Sequence, residues 1–178
     1  AALAAATKGL EPEWPALPLG YADYARRQRA QADAPRLQAS LHWWRQQLAG
    51  APTALELPTD RPRPAEQRFA GAWVQRTVPQ GLAEQVRGFA TTQGCTTYMV
   101  LLAAFKALLH RYSGAVDVLV GTPVEGRLTA DVEPLVGLFI NTLPVRVRLS
   151  GTDYLIPWLR QLLEDQLARE QHLDTPLT

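Results

Sequence analysis

The residues whose types could do chemistry are few. Three histidines stand at positions 42, 110 and 172, each able to exchange a proton near neutral pH. None has a metal ligand four residues on, and none has a carboxylate and a nucleophile close by in sequence, so surface or packing roles are expected for His42 and His110. Cys95, the single cysteine, lies outside any CxxC or CxxH spacing, and no GxGxxG or P-loop run is present to cradle a phosphate. Read alone, the chain holds no complete catalytic set and no metal site.

A different kind of signal sits in "VGLFINTLPVRVRL", residues 136–149. Strict alternation puts Phe139, Asn141, Leu143, Val145, Val147 and Leu149 on one face of a strand, and Thr142, Arg146 and Arg148 on the other. Asn141 is thus an amide on an apolar face, where an unpaired polar group costs about 1–3 kcal/mol. Two roles are open to it: bonding a neighbouring backbone and fixing a bend, or meeting another segment or a ligand. Pro144 cannot donate to a ladder, which places this strand at an edge or makes it irregular there. A similar choice attends "TPVEGR", residues 122–127. Glu125 and Arg127 are either a solvated pair, worth ~0–1 kcal/mol, or Arg127 anchors its loop from beneath.

These residues need elements to position them. "YADYARRQRA", residues 21–30, suits a short helix, and Asp33 with Pro35 supplies an N-cap and first-turn proline for a second helix that Gly50 stops. Leu37, Leu41, Trp44 and Leu48 form its stripe. Residues 51–72 carry four prolines and read as a long surface crossover. A strand is expected over 72–78, a helix from Pro79 to Gly94, and a central buried helix capped by Thr96 or Thr97 and ending near "HRYSG". A second strand, 116–124, is stopped by Gly121 and Pro123, and the loop after it leads to the strand that bears Asn141. A last helix starts at Thr152 or Asp153, tolerates Pro157 near its first turn, and turns Leu155, Trp158 or Leu159, Leu162 and Leu163 inward. The order predicts a layered α/β body with helices packed on a three-stranded sheet.

Composition agrees with a folded body and excludes several partners. The 178 residues are 47% hydrophobic and 20% charged, with a formal charge of +1 from scattered basic residues, so no electrostatic case exists for nucleic acid or an anionic membrane. The apolar run "YMVLLAAF" is closed by Lys106, far short of the ~20 residues that span a bilayer. One cysteine points to a reducing, cytoplasmic setting. "AALAAATKGL" lacks a basic region ahead of its alanines and reads as the tail of a helix stopped by Gly9, so the chain is expected to be a piece of a longer polypeptide.

In order along nearly its whole length, the sequence resembles the condensation domain of nonribosomal peptide synthetases. "YADYARRQR" is similar to the family's Tyr-x-Asp-Tyr-Ala motif through Tyr21, Asp23 and Tyr24, and "LPTDRPRP" to its Asp-Arg-Pro-Arg-Pro segment. "TTYMVLLAAFKALLHRYSG" resembles its central helix, and "DVLVGTPVEGR" the strand and loop after it. Gly137, Phe139, Asn141, Thr142 and Arg146 match Gly-x-Phe-x-Asn-Thr-x-x-x-Arg. "HLDTPL" matches His-Gln-Asp-x-Pro-Phe at His172, Asp174 and Pro176 and departs from it at Leu173 and Leu177.

The resemblance implies a chloramphenicol-acetyltransferase-like fold of two lobes around a tunnel, and peptide-bond formation between thioesters carried on the phosphopantetheine arms of carrier proteins. The family's His-His-x-x-x-Asp-Gly motif precedes the Tyr-x-Asp-Tyr segment, and this chain contains no His-His pair. The implied division is connecting helices and Pro-rich crossover over 1–72 and the C-terminal lobe over 73–178. The catalytic histidine is expected upstream of Ala1, with no cofactor bound by the chain itself. Asn141, Thr142, Phe139, Gly137, Arg127 and Arg146 are then expected to line or support the tunnel, and Tyr21, Asp23, Tyr24, His172, Asp174 and Pro176 to be structural. Expected partners are the N-terminal lobe, carrier proteins and neighbouring synthetase domains. A lone lobe would expose apolar surface and associate or dissolve poorly. The alternative is a non-catalytic platform of the same fold that recruits carrier or accessory proteins. Epimerisation and heterocyclisation are further options on this fold, although the Asp of "YADYA" and the Asn-Thr pair fit condensation better.

Overall fold

The computed structural model describes residues 7, 14–62, 64–66, 69–148, 155–170, 172 and 175. Among the described residues five helices and two strands follow in the order α1 (Tyr21–Ala30), α2 (Pro35–Leu48), α3 (Gln80–Thr92), α4 (Thr97–Ser113), β1 (Asp117–Glu125), β2 (Ile140–Arg148) and α5 (Leu155–Glu170). The ends of the helices follow local chemistry. Thr96 accepts from the Met99 N–H at 3.2 Å and caps α4, and Gly114, with φ at +71°, takes the left-handed turn that ends it. The cap of α2 is Ala34 and not Asp33: the ring of Pro35 forces the residue before it into extended backbone, so Ala34 occupies the cap position and no side chain caps the helix.

Strands β1 and β2 form an antiparallel pair running from Asp117↔Arg148 to Glu125↔Ile140. The strand expected to stop at Gly121 and Pro123 runs through both to Glu125. The ladder explains why. The Gly126 N–H donates to the Phe139 carbonyl at 2.7 Å, and counting back by twos from that bonded pair leaves Pro123 and Pro144 at the positions whose nitrogens face away from the partner strand. Neither proline removes a ladder bond. Strand β2 begins at Ile140, not at residue 136, and residues 136–139 belong to the incoming loop.

The third expected strand, 72–78, is absent among the described residues. Its Trp73 is 99% exposed, and a strand without a neighbour has no ladder to hold it. The helix tail expected at residues 1–9 lies outside the described residues apart from Thr7, and so do the caps Thr152 and Asp153.

One face of the pair carries the main core. Val118, Val145 and Val147 pack with Met99, Leu102 and Ala103 of α4, Leu159 and Leu162 of α5, and Ala90 of α3. Each valine, leucine or methionine among them contributes roughly 1.5–3 kcal/mol by leaving water. Lys106 is buried among them at 1% exposure, its Nζ donating to the Val145 carbonyl at 2.6 Å. The other flank of α4 is bare: Tyr98, Leu101, Phe105, Leu108 and Tyr112, spaced three or four residues apart, form one exposed apolar stripe. The central helix is therefore buried on one side and not all round.

Candidate functional site

At the far end of the sheet from the Asp117 terminus, residues 123–125, 127 and 137–140 enclose a groove of about 480 Å³. Its rim is apolar and open to solvent, with Leu138 and Ile140 at 72% and 65% exposure. Beneath it lies a small second core of Val132, Leu135 and Phe139, backed by Leu19 and Tyr24.

Arg127 organises that end. Its Nη1 donates to the carbonyls of Val132, Glu133 and Leu135 at 2.6, 3.1 and 2.9 Å, and its guanidinium lies 4.1 Å from the centre of the Phe139 ring. Of the two roles the sequence leaves open, anchoring the loop is the one these bonds describe, since Glu125 stands 3.8 Å away with a largely exposed carboxylate. All three bonds leave one nitrogen with two hydrogens, so one hydrogen is shared between carbonyls, while the flat guanidinium also lies over the Phe139 ring. Gly126 allows the close approach: a side chain there would collide with the Phe139 carbonyl.

Helix α1 grips the same loop. The Tyr21 hydroxyl donates to the Leu138 carbonyl at 2.8 Å, Tyr24 packs on Phe139 with ring centres 4.9 Å apart, and Arg27 pairs with Asp131 at 2.9 Å. The Asp131 carboxyl is held below the usual carboxylate range by the Thr129 hydroxyl first and by Arg27 second. Asp23 faces its own helix, accepting from the Gly20 N–H at 3.1 Å and pairing with Arg26 at 2.6 Å.

The remaining expected site residues lie elsewhere. Asn141 is half-buried on the core face beside Val124; its Nδ2 donates to the Thr175 carbonyl at 2.9 Å and its Oδ1 accepts from the Thr142 N–H at 2.9 Å. Thr142 is exposed opposite Pro123. Arg146 is far from the groove and ties three elements together. It holds the Asp117 carboxylate at 2.6–3.2 Å and donates to the Gln47 and Ala49 carbonyls at the end of α2, at 2.9 and 2.8 Å. Bonding to Arg146 is the chief reason the Asp117 carboxyl lies below its ordinary range, against a smaller opposing effect of burial.

His172 shares a hydrogen bond with Ser40 through Nδ1 at 2.7 Å and stacks on Trp43 with ring centres 4.5 Å apart. A serine–histidine contact invites a nucleophile reading, but Ser40 is buried at 1% exposure and no reacting group can reach it. The contact fastens His172 to α2. Asp174 and Pro176 lie outside the described residues. His42 is exposed beside Gln46, and His110 meets the Ala115 carbonyl at 2.7 Å just past the end of its helix.

Sequence reasoning missed Ser40, Trp43 and the burial of Lys106. Only the stripe position of Trp44, one residue from Trp43, hinted that this side of α2 meets another segment. The groove's lining offers one carboxylate, one committed guanidinium and backbone groups, with no imidazole. It can orient and enclose a substrate. Among the described residues no cluster of three or more metal-ligating side chains occurs, and no helix is long and apolar enough to cross a membrane.

The family model named "Condensation domain" matches residues 2–178. The chain belongs to the condensation-domain family. It is 45% identical over 168 residues to phosphinothricin tripeptide synthetase PhsB of Streptomyces viridochromogenes, covering 93% of this chain and 14% of that one. It is 39% identical over 160 residues to malpibaldin synthetase of Mortierella alpina, covering 90% and 3%. In three dimensions it is similar to the X-domain from teicoplanin biosynthesis, at a TM-score of 0.89 and 29% identity, covering 97% of this chain and 40% of that one; a complex of the X-domain with OxyB matches equally well. The chain thus spans a small part of those synthetases and about two fifths of that domain. The fold is that of condensation domains, so this condensation-domain segment carries the groove, the Arg127 loop and α1 as one portion of a larger body.

Proposed function

We propose that this chain supplies one wall of a tunnel in which an intact condensation domain joins two carrier-bound thioesters through an amide bond. In that reaction the acceptor amine attacks the donor carbonyl, the C–N bond forms, the C–S bond breaks, and the donor's phosphopantetheine thiol leaves. The groove's own lining holds no histidine, so the imidazole of the intact domain is supplied from outside this wall. The observation that carries the reading is the open apolar groove at the strand ends of a condensation-domain chain. A tethered reactant needs orientation more than it needs acid–base help from every wall, and orientation alone is worth up to about 7–11 kcal/mol of the barrier.

The organisation follows from this. Residues 1–72 connect, residues 73–178 belong to the C-terminal lobe, and the exposed stripe of α4 is covered by the rest of the domain. Gly137 and Phe139 shape the wall, Arg127 orders the loop beneath it, and Asn141, Thr142 and Arg146 hold β2 in place. The chain itself binds no cofactor and is inactive alone, and the enzyme works in the cytoplasm.

One observation favours a second reading, a protein-binding platform: the teicoplanin X-domain, close in fold, is seen in complex with OxyB. The decisive experiment supplies the intact domain with donor- and acceptor-loaded carriers and follows the peptidyl thioester by mass spectrometry. Multiple turnovers support condensation. Tight complex formation with a neighbouring protein and no amide product would establish the platform instead.

A further inference from the structure

The geometry assigns Tyr21 as a positioning residue for the groove, acting through the backbone of Leu138; the assignment rests on the condensation reading above. Tyr21 stands on α1, 117 residues from Leu138, and reaches it with a 2.8 Å bond from its hydroxyl to the Leu138 carbonyl. Its ring fills the space a side chain at Gly137 would need and meets Phe139 edge-on, with centres 5.4 Å apart. Three consecutive residues of the wall, 137 to 139, therefore rest on one side chain from another element.

Ring and hydroxyl have separable effects. The ring docks α1 by burying apolar surface against Gly137 and Phe139. The hydroxyl fixes the direction of one carbonyl just ahead of β2, which begins at Ile140. Phe139 is held also by Arg127, Tyr24 and the Gly126 N–H, whereas the Tyr21 hydroxyl is the bond from α1 to the Leu138 peptide. A misplacement of about 1 Å at a reacting pair can cost roughly a hundredfold in rate, so a partial loosening of this peptide should be visible in turnover.

The test is Tyr21→Phe in the full synthetase with its own loaded carriers, a change that keeps the ring and removes the hydroxyl. Expected are an unchanged melting temperature, an unchanged KM for the carriers, a kcat lowered about tenfold, and faster amide hydrogen exchange confined to residues 138–140. Unaltered kcat overturns the assignment. So does unaltered exchange at 138–140, whether or not the wild type turns over, and so does a fall in kcat that comes with a lower melting temperature and weaker carrier affinity. A wild type that forms no amide defeats the condensation reading itself, and Tyr21's part in it, while a fully active Tyr21→Phe beside an active wild type defeats Tyr21 alone.

Discussion

Arg146 and Arg127 stand at opposite ends of one strand pair and hold them in different ways. Arg146 serves a region that already has a dense core: Met99, Val118, Val145, Val147 and Leu162 are sealed there, and the arginine adds a carboxylate bridge and closes the end of α2. Arg127 serves a region built on the small cluster of Val132, Leu135 and Phe139, and its bonds to three loop carbonyls take the place of bulk. The difference teaches that one end of the sheet is held by apolar area and the other by a few directional bonds. Area sets stability, and directional bonds set where a wall stands.

The comparison breaks first where the apolar contribution is largest. Leu162→Ala should cost about 2–5 kcal/mol by leaving a cavity in the main core, whereas Leu138→Ala at the groove should stay within about 0.5 kcal/mol, both read from denaturant midpoints of the intact domain. Equal losses would erase the distinction. Next comes Arg146→Ala, expected to lose about 2–3 kcal/mol because it strands a half-sheltered carboxylate and two helix-end carbonyls. The same pair carries a pH signature. Asp117 ionises more readily in the folded chain than in the unfolded one, so its contribution is full above the unfolded value of about 4 and falls away as pH drops through the lower folded value. Asp117→Asn should flatten the stability curve below about pH 4 and leave its shape above that unchanged. Smaller in stability than Arg146→Ala is Arg127→Lys, at about 1–2 kcal/mol, since a lysine loses the flat group that lies over Phe139 while it meets the loop carbonyls; its effect should appear also as lost turnover in the intact domain.

What could be read from the sequence follows the same division. Helices α2 to α4 were legible because their stripes recur at helical spacing and Gly50, Gly94 and Gly114 take left-handed turns at their ends. The alternation around Asn141 placed Leu143, Val145 and Val147 inside. Contacts between distant segments were not legible. Nothing near Ser40 points to His172, 132 residues later, and nothing near Asp117 says that Arg146 rather than Arg148 forms the bonds of 3.2 Å or less. Lys106 reads as the end of an apolar run and proves to be inside it, because a carbonyl of β2 meets its ammonium. The strand expected at 72–78 failed for a plain reason: alternation says that a segment can pair, and only a neighbour lets it. The motif residues could be named from resemblance, but their division into wall, loop anchor and sheet tie came only with coordinates.

The central claim is that tethered substrates react against the wall formed by residues 123–127 and 137–140. It is tested most directly by Ile140→Trp in the intact domain, which fills the groove from an exposed rim position, with amide formation followed on loaded carriers. The account predicts turnover lowered at least about tenfold with unchanged melting temperature and carrier KM. Wild-type turnover in a folded Ile140→Trp domain would contradict it.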